Sequence, residues 1–161
     1  MNLFNLVYGG VILNDKYIVY FISRTKANMI KFIDNKLKKN NLNDLIPTHG
    51  NILTALYESD GRLTMKEIAK KIGKDKSTVT ALVNKLISLG YIKKEKCDID
   101  RRVTYISLTN KAFDIKDTFD FISSQVKETA YTGLNEEEKK EFLRLLRKIS
   151  TNFKNANDEL K

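Results

Sequence analysis

Lys76, Ser77, Thr78, Thr80, Ala81, Asn84 and Lys85 fall in one short run, and no acid stands between Lys76 and Leu89. Small hydroxyls and amides can meet phosphate oxygens or base edges, and lysine neutralises phosphate. A second cationic group follows closely, Arg101 and Arg102 after Asp98-Ile99-Asp100. Arginine at a narrow tip suits a minor groove, where negative potential is enhanced. Other chemistry is scarce. There is 1 His, His49, and 1 Cys, Cys97. A structural zinc site usually takes about four such ligands, so neither a metal nor a cofactor is expected. Catalysis needs a base, a nucleophile or paired acids in a cleft. The acids here fall mainly at helix caps and on exposed faces, so the chain does not read as an enzyme.

The remaining candidates each have a plain reading beside the chemical one. Cys97 lies near Lys96 and Arg101. Nearby cations can lower a thiol pKa and make a redox-responsive thiolate, but an ordinary wing residue is the favoured account. His49 stands in the first turn of an expected helix, either satisfied or solvated, with a role near an effector pocket as the alternative. Tyr17, Tyr20, Phe21, Tyr57 and Phe113 can line a small-molecule pocket, as can Phe119 and Tyr131. Aromatic stripes more often fill cores.

The chain that must position these groups has 161 residues, the length of one domain. Lys+Arg 29 against Asp+Glu 20 leaves a net charge of +9, with a pI near 9.5. Such an excess points to a polyanion such as nucleic acid, or to a membrane surface. A lone cysteine excludes an internal disulfide framework and fits a reducing, cytoplasmic home. The most apolar stretch, MNLFNLVYGGVIL, is shorter than the ~20 residues of a membrane span. No Lys or Arg precedes Lys16 and no small-x-small site follows, which argues against a signal peptide. Residues 1–13 read as a terminal arm packed on the body, or as a hairpin turning at Gly9-Gly10.

With 1 Pro and 7 Gly, breakers are few and helix is favoured. A first helix is expected over 14–39, with Asn14 or Asp15 as cap and Ile18, Phe21, Ile22, Met29, Ile30, Ile33 and Leu37 as its stripe. A second patch at Tyr17, Tyr20 and Phe32 gives that helix two apolar faces, one for its own domain and one for another subunit. A second helix should run from Thr48 to about Glu58. Thr64 and Glu67 have capping-box spacing for a third, which Gly73 should stop. Asp75 caps a fourth, ending before Gly90, with Val79, Leu82, Val83, Leu86 and Ile87 inward. The period then changes to strands over 91–96 and 103–108 with a polar, basic tip. One long helix is expected from Thr109 to about Tyr131, ended by Gly133. Another should open at Asn135 with Glu138 as cap partner. The class is mainly α with a small β-hairpin wing: a winged helix-turn-helix within 48–109, flanked by long helices at 14–40 and 110–157. The helix-turn-helix occupies about 64–89 and the wing about 91–108.

Three segments now resemble a known family, the MarR-type transcriptional regulators. They are Thr64-Met-Lys-Glu-Ile-Ala-Lys-Lys-Ile-Gly73, Lys76-Ser-Thr-Val-Thr-Ala-Leu-Val-Asn-Lys-Leu86 and Leu89-Gly-Tyr-Ile92. Asp98-Ile-Asp-Arg-Arg102 is similar to the family's wing signature, and Leu108-Thr-Asn-Lys111 opens the next helix. The resemblance implies a homodimer whose first and last helices interlock and whose paired winged domains bind a pseudo-palindromic double-stranded operator. It further implies a repressor relieved by a small lipophilic or phenolic effector, with no membrane partner. Two positions depart from the family. Ala81 stands where many members have arginine, and Asn84 where many have aspartate. Ala81 can touch a thymine methyl; Asn84 can read adenine or hold Arg102. The family pattern makes Arg101 the anchor and Arg102 the groove contact. A winged-helix protein acting through protein contacts or nonspecific nucleic-acid binding is the alternative.

Overall fold

A computed structural model describes residues 6–8, 11–13, 15–97 and 100–160. Asn14, Gly9, Gly10, Asp98 and Ile99, singled out above, lie outside the described residues. The order is β1 (Leu6–Tyr8), β2 (Val11–Leu13), a 3₁₀ turn at Asp15–Tyr17, α1 (Ile18–Lys39), α2 (Pro47–Tyr57), β3 (Arg62–Thr64), α3 (Met65–Ile72) and α4 (Lys76–Ser88). Then come β4 (Ile92–Lys96), β5 (Thr104–Leu108), α5 (Asn110–Asp114), α6 (Lys116–Ala130) and α7 (Glu136–Glu159). Strands β1 and β2 pair antiparallel with Tyr8 opposite Val11.

Two compact units make up the chain, residues 1–122 and 123–161. In the first, α2, α3 and α4 pack on one another and against the sheet. The fully buried side chains include Ile52, Leu53, Leu56, Ile68, Val79, Val83, Leu86, Tyr91, Ile92 and Ile106. They come from α2, α3, α4 and both strands of the hairpin, so one core fixes the recognition helix and the wing together. The second unit contains the end of α6 and all of α7, whose start is fixed by a reciprocal cap. Asn135 Oδ1 accepts from the Glu138 amide while Glu138 accepts from the Asn135 amide.

Two elements differ from expectation. The helix expected from Thr109 to Tyr131 is broken at Ile115 into α5 and α6. The break follows a local tie: the Tyr57 hydroxyl donates to the Ala112 carbonyl, drawing α5 onto α2. The sheet also has a third strand, β3, paired to β5 with Leu63 opposite Ile106. Three residues offer no alternation to read, so this strand is defined by its partner.

A clasp closes the domain at the end of α4. Lys111 Nζ donates to the Leu89 carbonyl at 2.8 Å and to Asp44 at 3.2 Å, and lies 4.1 Å from the Tyr91 ring centre. The Tyr91 hydroxyl donates to the same carboxylate at 3.0 Å. A cation at a helix C-terminus is favoured by the dipole. Partial burial pushes the Asp44 carboxyl up, but the hydrogen bonds from Tyr91 and Lys111 outweigh it and hold it below the usual range.

His49 is buried and belongs to the first turn of α2. Its Nδ1 accepts from the Ile46 amide at 3.3 Å, while its own amide donates to the Ile46 carbonyl. It is therefore a helix-cap group, the satisfied histidine of the two readings given above. Burial first, then repulsion from Lys85, lowers its pKa below 6.5, with Asp44 opposing. A base with a depressed folded pKa binds more protons when unfolded, so stability falls as pH drops below 6.5. The melting temperature should decline between about pH 7 and about pH 5. His49→Asn, which keeps an acceptor for the Ile46 amide, should flatten that decline. An unchanged slope in the variant would assign it elsewhere.

Candidate nucleic-acid interface

The helix-turn-helix is built by local hydrogen bonds that the sequence declares. Thr64 Oγ1 accepts from the Glu67 amide at 3.3 Å and Glu67 accepts from the Thr64 amide at 2.7 Å. The bonds from Thr64 hold the Glu67 carboxyl below its usual range. Gly73 ends α3 at φ 62, a left-handed conformation that a side chain disfavours. Two residues later Asp75 caps α4, accepting from the Thr78 amide at 2.8 Å.

Val79, Val83 and Leu86 turn inward on α4. The outward face is a stripe of Ser77, Ala81, Asn84 and Ser88 at steps of four, three and four, flanked by Lys76 and Lys85. All of these are exposed. The stripe is small at its N-terminal end and carries no acid, as entry into a groove ~12 Å wide requires. The hydroxyls are less free than their types suggest. Ser77 and Thr78 both donate to Asp75, Thr80 donates to the Lys76 carbonyl and Ser88 to the Lys85 carbonyl. Hydrogen bonding from Ser77 and Thr78 keeps Asp75 ionised far below the usual carboxylate range. These hydroxyls thus present lone pairs outward more readily than protons, and phosphate donation falls to the lysines and to the α4 amides.

At the wing, Arg102 is folded back. Its Nε and Nη2 reach the two Asp100 oxygens at 3.1 and 3.2 Å, and its amide donates to Asp100 as well. The Arg102 side chain nonetheless remains 91% exposed. Arg101 is exposed and pairs with no described acid. The ion pair with Asp100 thus falls to Arg102, where the family pattern puts the groove contact, and Arg101 is the exposed neighbour. Asn84 does not hold Arg102 either. Its Oδ1 accepts from Lys94 Nζ of β4 at 3.4 Å. Cys97 is a half-buried free thiol whose amide donates to the Val103 carbonyl.

Residues absent from the sequence reading also belong to this face. Ser88 completes the α4 stripe, and Lys94 joins wing to helix. Lys66, Lys70, Lys71 and Lys74 stand exposed on and just after α3, the helix that crosses the backbone in this arrangement. The four-residue step from Lys66 to Lys70 on α3 was a legible sign of one basic face.

The aromatic candidates separate. Tyr57 is half-buried in the core, 5.6 Å from the Phe119 ring centre. Burial, aided by the Asp120 charge, pushes its pKa up to about 12. Phe113 is exposed, beside Gly61. Tyr17, Tyr20 and Phe21 are exposed at the start of α1, with Tyr20 and Phe21 packed edge to face.

Helix, turn, helix, then a strand pair with a basic end define a winged helix-turn-helix. Residues 43–103 match the family model described as "MarR family". Over that stretch the chain is similar to that family. It is 29% identical over 137 residues to the HTH-type transcriptional regulator SarZ of Staphylococcus haemolyticus, covering 84% of this chain and 89% of that protein. It is similar in fold to the Staphylococcus aureus MepR–DNA complex, with TM-score 0.75 and 24% identity, over 87% of this chain and 99% of that one. A structure of Bordetella bronchiseptica BpsR, described with the regulation of its DNA binding by 6-hydroxynicotinic acid, aligns at TM-score 0.72 and 19% identity. That match covers 88% of this chain and 98% of BpsR. No helix among the described residues is long and apolar enough to cross a membrane.

Proposed function

We propose that the protein is a sequence-specific regulator of transcription, a homodimeric repressor that binds a pseudo-palindromic operator and leaves it when a small lipophilic effector binds. The observation that carries this is the α4 face: an exposed, acid-free stripe, rigidly capped at Asp75 and flanked by lysines. In support, the similar SarZ is named an HTH-type transcriptional regulator, the MepR structure of like fold is a complex with DNA, and BpsR supplies the precedent for a small-molecule signal. Gel shift of the purified protein on its own upstream DNA and on random duplex tests the reading. A preference of ~10³ or more is expected, with affinity falling steeply with salt. Equal affinity for both duplexes would leave a nonspecific binder.

Exposed apolar faces support the dimer. On α1 these are Ile18, Ile22 and Met29, and on α7 Phe142, Leu145, Leu146 and Phe153. A monomer rarely leaves patches of that extent to water. The exposed aromatics Tyr17, Tyr20 and Phe21 at the start of α1 suit an apolar effector.

The wing divides its work by geometry. Arg101→Ala should weaken operator binding by ~10-fold, about 1.4 kcal/mol, and flatten the preference for A·T-rich flanks, with melting unchanged. Arg102→Ala removes the tie to Asp100. It should blur the flank preference and lower affinity less, by ~3-fold, because the tip is held less firmly. Fluorescence anisotropy on one operator with varied flanks reads both. The opposite ranking would return the groove contact to Arg102.

A further inference from the structure

Lys94 occupies an unusual place for a lysine. In β4, Ile92 is buried, Lys93 and Glu95 lie on the opposite face, and Lys94 stands across from Ile106, itself fully buried. By strand alternation Lys94 shares the core-facing side with Ile92. Its side chain is nonetheless exposed, and its ammonium reaches α4, the way a long cation keeps its head in water. There it meets Asn84 Oδ1 at 3.4 Å.

The contact fixes more than a distance. An amide beside an ammonium can present only its oxygen to the cation, so the Asn84 Nδ2 group is turned away from Lys94. Asn84 lies on the exposed stripe with Ser77, Ala81 and Ser88. What it offers outward is therefore a pair of N–H donors. Reading adenine takes both halves of the amide, the oxygen accepting from N6 and the nitrogen donating to N7. With a cation on the oxygen, the approach of a second donor is opposed. Guanine has two acceptors, N7 and O6, on its major-groove edge, and suits a donor pair with an ammonium close by.

We infer that Lys94 sets the base preference of Asn84: the ammonium on Oδ1 converts residue 84 from an adenine reader into a donor that selects guanine. Lys94 is a positioning residue, acting through Asn84. The inference rests on the DNA-binding reading above and adds a specificity to it.

The test is selection from a duplex library with one randomised half-site repeated as a palindrome, followed by sequencing. The full-length protein should enrich guanine at one position of each half-site. Lys94→Met, which keeps the stem and removes the ammonium, should shift that position toward adenine by ~10-fold in relative enrichment and leave the other positions alone. Asn84→Ala should flatten the same position. The double variant should match Asn84→Ala, since Lys94 works through that side chain. Lys94→Gln, uncharged but polar, should move the preference in the same direction and serves if the Met variant loses its cooperative melt. Adenine selected by the unmodified protein would overturn the inference. So would a Lys94→Met variant that binds all sequences equally more weakly with the base unchanged, the behaviour of a phosphate contact. Enrichment of no sequence by the unmodified protein would instead sink the DNA-binding reading, and this inference with it.

Discussion

Leu146→Asp combined with Phe153→Asp should turn the protein into a monomer of 18.6 kDa by light scattering and cut operator affinity at least ~100-fold. Both residues lie on one face of α7, with Phe142, Leu145 and Ile149 at three- and four-residue steps. Leu146 is 39% and Phe153 58% exposed, yet α7 carries three acids in its first turn and a dense charged surface elsewhere. An amphipathic helix with so sharp a division expects a cover for its apolar side. Two carboxylates placed on that apolar side would have to be buried by the subunit contact, and burying a charge is strongly unfavourable. The loss of DNA affinity follows from linkage between half-sites. When two recognition helices are tethered, the second binds at high effective concentration, which is worth 10²–10⁴ without any new contact, as an order of magnitude. The winged unit has its own core in residues that these changes do not touch. Its helical signal should therefore persist while affinity collapses. A double variant that remains a dimer with full affinity would place the subunit contact on another face.

Local signals were legible and tertiary ones were not. The Thr64–Glu67 box, the Asp75 cap, the Gly73 stop and the Asn135–Glu138 box are each settled within four residues, and each stands where its spacing put it. The inward set Val79, Val83 and Leu86 followed from helical period in the same way. Strand β3 was missed because three residues have no period. Its existence depends on β5, more than forty residues on. The break at Ile115 was missed because the stripe of apolar residues runs through it; a hydroxyl from Tyr57 decides it. The wing shows the same limit. The charges of Asp100, Arg101 and Arg102 were plain, but which arginine closes the turn depends on backbone direction at the tip, and both orders satisfy the composition. Lys94 reads as one more surface lysine until strand register puts it on the core side, next to Asn84.

The second large effect falls on stability. Leu86→Ala should destabilise the protein by about 2–5 kcal/mol, read as a drop in the urea midpoint at constant slope. Leu86 is fully buried, in the third turn of α4, where its carbonyl also receives the Tyr91 amide at 3.1 Å. It sits at the point where α4 meets β4 and the clasp of Lys111, Tyr91 and Asp44 closes over the helix end. Full burial means that the lost atoms leave a cavity in a close-packed core, which sets the cost within that range. A domain of this kind has roughly 5–15 kcal/mol in total, so the loss is a large part of it. The functional consequence has a definite order. At low temperature the folded fraction stays high and the α4 surface is unaltered, so operator preference should persist. On warming, binding should disappear together with the far-ultraviolet helical signal, at a lower temperature than in the unmodified protein. Ala81→Ser makes the control, since it alters the exposed stripe without touching the core and should shift base preference with the melting temperature nearly fixed. If Leu86→Ala instead lost its preferred bases while still fully folded, the recognition helix would be held in place by that one side chain and not by the core as a whole.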